Sequence, residues 1–265
     1  GLLKAAAFEY HRMSTVEEAL AVLAEGDGYG KVLAGGQSLG PMMNLRLVRP
    51  DVVVDIGGVR SLTEVTSDSG IIRIGARVTH SAIEDGVIPG PTGVFLSEVA
   101  HGIAYRAIRN RGTLGGSLVH ADPAADWLSV LIVLDASVVV VDQDGETSIK
   151  VKDFVVSPFT TGLGDKSLVS RIEFKELTGK AKWSYLKSSR KPGEFSDAIS
   201  ICLRDESEGI FRITAGAMDV TPKMVDCNLS ESNEEKIESL ISHRKGYQKG
   251  LHCTLLQRSI HEVKN

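Results

Sequence analysis

The chain has 265 residues, with 30 basic against 34 acidic side chains, for a formal charge of −4. That balance argues against a nucleic-acid binder, which normally carries a strong basic excess. With 42% hydrophobic and 24% charged residues the composition is globular, and two modest domains fit the length as well as one large one.

In chain order, Ser14 and Glu17 stand in capping-box relation, and Val16, Ala19, Leu20 and Leu23 then recur at helical spacing. A short apolar strand, Lys31 to Ala34, runs into Gly35-Gly36-Gln37-Ser38. Strands follow at 52–56 and 71–74, where β-branched residues are dense. The stretches 80–84 and 95–103 read as short helices, and Thr113-Leu114-Gly115-Gly116-Ser117 is a second glycine cluster. After Pro123 a buried helix is expected over 124–134. Asp144-Gly145 then turns strand 138–141 back into 148–151. Stretches 168–174, 182–186, 197–203 and 211–215 read as successive strands, and the chain closes in charged helices from Glu234. The change of pattern suggests a domain boundary near residue 165.

No apolar run approaches the roughly 20 residues that cross a bilayer, so no membrane insertion is expected. The opening GLLKAAAFEY has too short an apolar segment for a secretory signal. Cys202, Cys227 and Cys253 match neither a close-paired metal site nor a disulfide framework, and an odd count suits a reducing cytoplasm. A bound iron–sulfur cluster generally needs four thiolates.

Glycine lets backbone amides approach a ligand closely, and successive inward N–H groups hold phosphate oxygens. Two such loops, 34–38 and 113–117, would grip the two phosphates of a dinucleotide; tight turns at strand ends are the simpler reading of either one alone. Gly28-Tyr29-Gly30 starts a dinucleotide fingerprint, but Leu33 stands where the third glycine belongs. No Gly-Lys-Ser/Thr triplet occurs. Gly36-Gln37-Ser38-Leu39-Gly40 satisfies the nucleophile-elbow pattern of serine hydrolases, with His252 and His261 downstream. That leaves a hydrolase, or a non-catalytic scaffold subunit, as alternatives. His80, His101 and His120 show no metal-ligand spacing, and hydrogen-bonded or surface histidines are the simpler reading.

Taken together, the runs Lys31–Leu39 and Ile108–Ser117, the latter continuing as Leu118-Val119-His120-Ala121-Asp122-Pro123-Ala124-Ala125-Asp126, resemble the FAD-binding medium subunit of molybdenum hydroxylases. This is the family of carbon monoxide dehydrogenase medium chains and xanthine dehydrogenase flavin domains. The resemblance implies an α+β fold: a two-subdomain FAD-binding domain of the vanillyl-alcohol-oxidase/MurB-like type over 1–165, divided at about 57/58. A smaller C-terminal domain with an antiparallel sheet and helices would follow over 166–265, shortened after Met218.

The resemblance also assigns roles. Ala34, Gly35, Gly36, Gln37 and Ser38, with Thr113, Leu114, Gly115, Gly116 and Ser117, would hold the pyrophosphate. Lys31, Val32, Leu33 and Leu39 would line the cofactor, and Ile103 would be an apolar neighbour. Asp126 would accept hydrogen bonds from the adenosine ribose, Leu168 and Val169 would pack on the flavin or adenine, Lys187 would be a basic contact, and Tyr185 would cover a flavin face. Molybdopterin and [2Fe–2S] clusters would sit on a large and a small partner subunit, in a cytoplasmic dimer of heterotrimers. Electrons would pass from the clusters through FAD here to an external acceptor.

Overall fold

The computed structural model describes residues 9–25, 30–33, 52–189, 191 and 195–265. Its first unit is a parallel sheet. Strands β1 (Glu9–Arg12) and β2 (Gly30–Leu33) both pair in parallel with the central β3 (Val52–Asp55), and helix α1 (Val16–Glu25) covers it. Ala19, Leu20 and Leu23 of α1 bury against Val54 and Ile56, as the helical spacing requires. The helix start lies one residue later than the capping-box reading: Thr15 Oγ1 accepts from Glu18 N, and Glu18 Oε2 accepts from Ser14 N.

The second unit is built on a five-stranded antiparallel sheet in the order β4-β5-β10-β6-β7. It comprises β4 (Val65–Asp68), β5 (Ile71–Gly75), helices α2 (His80–Glu84), α3 (Gly90–His101), α4 (Arg106–Arg109), α5 (Leu114–His120) and α6 (Asp126–Val133), and strands β6 (Ser137–Asp142) and β7 (Gly145–Lys150). Helix α7 (Val151–Phe154), the small pair β8 (Val155–Ser157) and β9 (Thr160–Thr161), and β10 (Leu168–Lys175) complete it.

Strand β10 corrects the boundary expected near 165. It pairs with β5 on one side and β6 on the other, so it is the middle strand of this sheet and not the start of the next unit. Its side chains also join two cores: Leu168 packs with Leu20, Leu23 and Leu62 of the first unit, and Val169 with the second. The apolar pattern of 168–174 marks a strand but cannot name its partners.

The third unit is an antiparallel meander, β11 (Ala181–Ser188), β12 (Ala198–Asp205), β13 (Ile210–Gly216) and β14 (Met224–Asp226), followed by α8 (Glu234–Ile241) and α9 (Gly246–Lys264). Both faces of β12 are covered. Ile199, Ile201 and Leu203 join the core that contains α6, whereas Cys202 packs with Leu256 and Ile260 of α9, and Ser200 bonds Ser259 of α9 at 2.8 Å. This two-sided burial explains the nearly continuous apolar run of β12. Helix α6, buried at every position from Trp127 to Val133, packs on β12 and β13 and shares one core with residues of the second and third sheets.

Candidate functional site

The second glycine cluster is not a loop. Thr113 is the N-cap of α5, its Oγ1 accepting from Gly116 N at 3.1 Å, so Leu114, Gly115, Gly116 and Ser117 form the first helical turn. Four amides expected to face phosphate are already engaged: Leu114 N donates to Val78 O and Gly115 N to Ala76 O, both at 3.0 Å, Gly116 N to the cap, and Ser117 N to Thr113 O at 3.0 Å. Gly115 is required by packing, since a Cβ there would lie 2.7 Å from both Cβ and O of Ala76. Leu114 is core.

Thr113, Gly116 and Ser117 instead form part of the wall of a cleft of about 420 Å³ that also takes in Ile103, Asp126 and Lys187. The volume lies in the range of small-molecule sites. Its lining mixes the apolar Ile103, Ala104 and Ile108 with the polar Thr113, Ser117 and His80. Arg109 holds the Ile103–Ala104 turn in place. Buried itself, it donates to the carbonyls of Ile103 and Ala104 at 3.1 Å each and to Glu84 Oε1 at 3.1 Å, which fixes a turn where Ala104 takes φ +47°.

Asp126 opens helix α6, where a carboxylate is favoured by the positive end of the helix dipole. Strand β11 sends its odd-numbered side chains toward it. Tyr185 donates its hydroxyl to Asp126 Oδ1, and Lys187 Nζ lies 3.3 Å from the same oxygen while also donating to Gly102 O. Among the described residues both donors take Oδ1 and no hydrogen bond to Oδ2 is present. Gly102 is in close contact with this lysine, for a Cβ there would sit 3.2 Å from Nζ. Burial, followed by the Asp126 charge, pushes the Tyr185 hydroxyl far above its ordinary pKa, so it remains a neutral donor.

The structure therefore brings Ile103, Thr113, Gly116, Ser117, Asp126 and Lys187 to one cleft, with Tyr185 supporting Asp126 from behind rather than lining it. Leu168 and Val169 are 1% and 5% exposed, and both belong to the cores and not to the cleft lining. Lys31, Val32 and Leu33 form β2 beside β3. Ala34 to Leu39, including the elbow serine Ser38, lie outside the described residues. Of the proposed elbow's downstream histidines, His252 is 1% exposed with neither ring nitrogen hydrogen-bonded among the described residues, and His261 is exposed beside Asn265.

Sequence reasoning missed His80, Trp127 and Arg109 as builders of the cleft. Arg109 and Trp127 lie within or just beyond the long second motif, so their nearness in sequence was the available signal.

The fold and cleft define an α+β chain with a cleft of small-molecule size. A family profile described as the FAD binding domain in molybdopterin dehydrogenase matches residues 6–174, and the chain belongs to that family. It is an oxidoreductase chain of the molybdenum-hydroxylase type.

The chain is 31% identical over 282 residues to the nicotine 6-hydroxylase medium subunit of Paenarthrobacter nicotinovorans, covering 98% of this chain and 99% of that one. It is 37% identical over 206 residues to the 6-hydroxypseudooxynicotine dehydrogenase complex subunit alpha of the same organism, covering 77% and 70%. Quinoline 2-oxidoreductase from Pseudomonas putida 86 superposes with a TM-score of 0.81 at 27% identity, over 99% of this chain and 98% of that one. At that coverage the segment after Met218 has its counterpart there, against the shortening expected from sequence. Among the described residues no helix is long and apolar enough to cross a membrane.

Proposed function

We propose that this chain is the FAD-binding electron-transfer subunit of a molybdenum-containing hydroxylase or dehydrogenase. It would accept electrons from [2Fe–2S] clusters on a small partner subunit and pass them to an external acceptor. Substrate oxidation would take place at a molybdopterin centre on a large partner subunit, in a dimer of heterotrimers. The observation that carries this reading is the pairing of Asp126 with Lys187 across a cleft walled by the second glycine motif, in a chain of this family.

The cleft suits such a cofactor chemically. Asp126 Oδ2 would accept a ribose hydroxyl, Thr113 and Ser117 offer hydroxyls, and Ile103 and Ile108 offer apolar surface. Lys187 offsets negative charge. When bound, the isoalloxazine supplies the redox chemistry, and the protein orients and tunes it. We assign Ala34, Gly35, Gly36, Gln37, Ser38 and Leu39 to the second side of the grip by resemblance. The vanillyl-alcohol-oxidase/MurB-like arrangement has its two subdomains in the parallel and five-stranded sheets, and the flavin domain extends through β10 to residue 175. A cytoplasmic location goes with the same reading.

The purified chain is expected to be yellow and to release FAD, not FMN, on denaturation. From native cells it should co-purify with two further chains, molybdenum and iron. A colourless preparation that takes up no FAD would overturn the proposal.

A further inference from the structure

His80 begins α2 but belongs structurally to the second glycine motif. Its amide donates to Gly112 O at 3.0 Å, and its neighbour Thr79 bridges to Thr113. The ring is thus held at a fixed place beside the Gly112–Ser117 wall. It is only 7% exposed, yet it lines the cleft. Trp127, one residue beyond Asp126, donates its indole N–H to His80 Nδ1 at 2.9 Å. An indole nitrogen is a donor only, so Nδ1 must be unprotonated and the ring proton resides on Nε2. Nε2 is the atom nearest Gly112, where an added Cβ would stand 2.7 Å away. Among the described residues Trp127 is the ring's only side-chain hydrogen-bond partner.

We propose that His80 is a cofactor-binding residue whose Nε2–H, aimed by Trp127, donates an uncharged hydrogen bond to a pyrophosphate oxygen held beside Gly112, Thr113 and Ser117. This rests on the FAD reading above. Three features converge on it. The donor lines the cleft together with Gly112, Thr113 and Ser117 of the second glycine motif, the stretch read here as facing the polar part of a dinucleotide. Its direction is fixed before binding, which lowers the entropy cost of making the bond. Burial, with the Arg109 charge adding to it, holds the imidazole neutral, its pKa depressed to about 4. Lys187 is the cation of the cleft lining, and His80 supplies direction.

The test uses the full-length apoprotein and three variants: His80→Leu removes the donor, His80→Gln keeps an N–H near the Nε2 position, and Trp127→Phe releases the ring. FAD and ADP are the probes, because ADP carries the pyrophosphate without the flavin. H80L should weaken both by about tenfold, the size of one hydrogen bond to a charged acceptor, while H80Q stays within about threefold. Nitrogen-15 spectra of the wild-type imidazole should show the neutral Nε2–H tautomer, and W127F a mixture. Unchanged affinity in H80L, equal losses in H80L and H80Q, a loss for FAD without one for ADP, or an Nδ1–H tautomer would each overturn the proposal. If H80L does not fold, H80Q and the tautomer still decide it. A wild-type apoprotein that binds neither FAD nor ADP defeats the flavin reading itself, an outcome distinct from all of these.

Discussion

Asp126 carries two donors on one carboxylate oxygen, Tyr185 and Lys187, and this asymmetry makes separable predictions. Asp126→Ala removes both the acceptor proposed for a ribose hydroxyl and the partner of a half-buried lysine, so FAD affinity should fall by tenfold or more, on the order of 1.5–3 kcal/mol. Tyr185→Phe touches only the supporting oxygen and should cost less than about threefold. Titration of the apoproteins with FAD, followed by flavin fluorescence, separates the two; equal losses would move Tyr185 into the cleft.

The buried histidines predict a pH dependence. Burial depresses both His80 and His252 to about 4, with Arg109 adding to the effect at His80 and Arg244 and His243 at His252. The unfolded chain therefore binds more protons between about pH 6.5 and pH 4, and the folded state loses stability as pH falls through that window. From pH 7 to pH 5 the share of His80 is about 2 kcal/mol. Urea unfolding at the two pH values checks this, and His252→Leu should flatten the slope.

At the level of elements, α6 is the piece on which the site depends. Its first residue is Asp126, its second is Trp127, and the remainder is buried in the core that the second and third sheets share. Continuous burial is what the run Trp127–Val133 encodes, with Ser129 as the one polar residue; its Oγ has no hydrogen-bond partner among the described residues. Gly216 of β13 lies against it, and an added Cβ would come within 2.1 Å of Ser129 Oγ. Gly216→Ala should therefore cost about 1–3 kcal/mol through overpacking. Ser129→Ala removes an unpaired buried hydroxyl and should be close to neutral. In the double variant part of the Gly216→Ala loss should return. Thermal unfolding of the three proteins measures this coupling. Thr113→Ala should cost about 1 kcal/mol, the usual value of an N-cap, and would loosen the wall that faces Asp126.

For the whole molecule, the decisive feature is that neighbouring units share structure. Strand β10 bridges β5 and β6 and contributes to two cores, and α6 joins the second sheet to the third. A fragment ending at residue 165 leaves β5 and β6 without their common partner and should not give a cooperative unfolding transition. The cleft is composite in the same way, since Lys187 comes from β11 in the third unit while Asp126 and Thr113 come from the second. Removing α9 strips the cover from Cys202 and Ser200 on β12 and should expose apolar surface that binds a hydrophobic dye.

Local pattern alone determined much of this protein. Apolar pattern located α1, α6 and all the strands of the meander but β14, and the motif from Ile108 to Asp126 carried the family, because those signals depend on neighbours in sequence. Tertiary structure decided the rest. Nothing local says that 168–175 inserts between β5 and β6, that the Gly115–Gly116 amides are consumed by Ala76 and Thr113, or that Leu168 and Val169 serve the cores. These are pairings across tens of residues, and hydrogen-bonding capacity already spent within the fold does not show in a string of residue types. The chain is near-neutral, with 265 residues and three scattered cysteines. Composition left the function open, and the meeting of β11 with the start of α6 places an acid, a base and a buried histidine around one cleft.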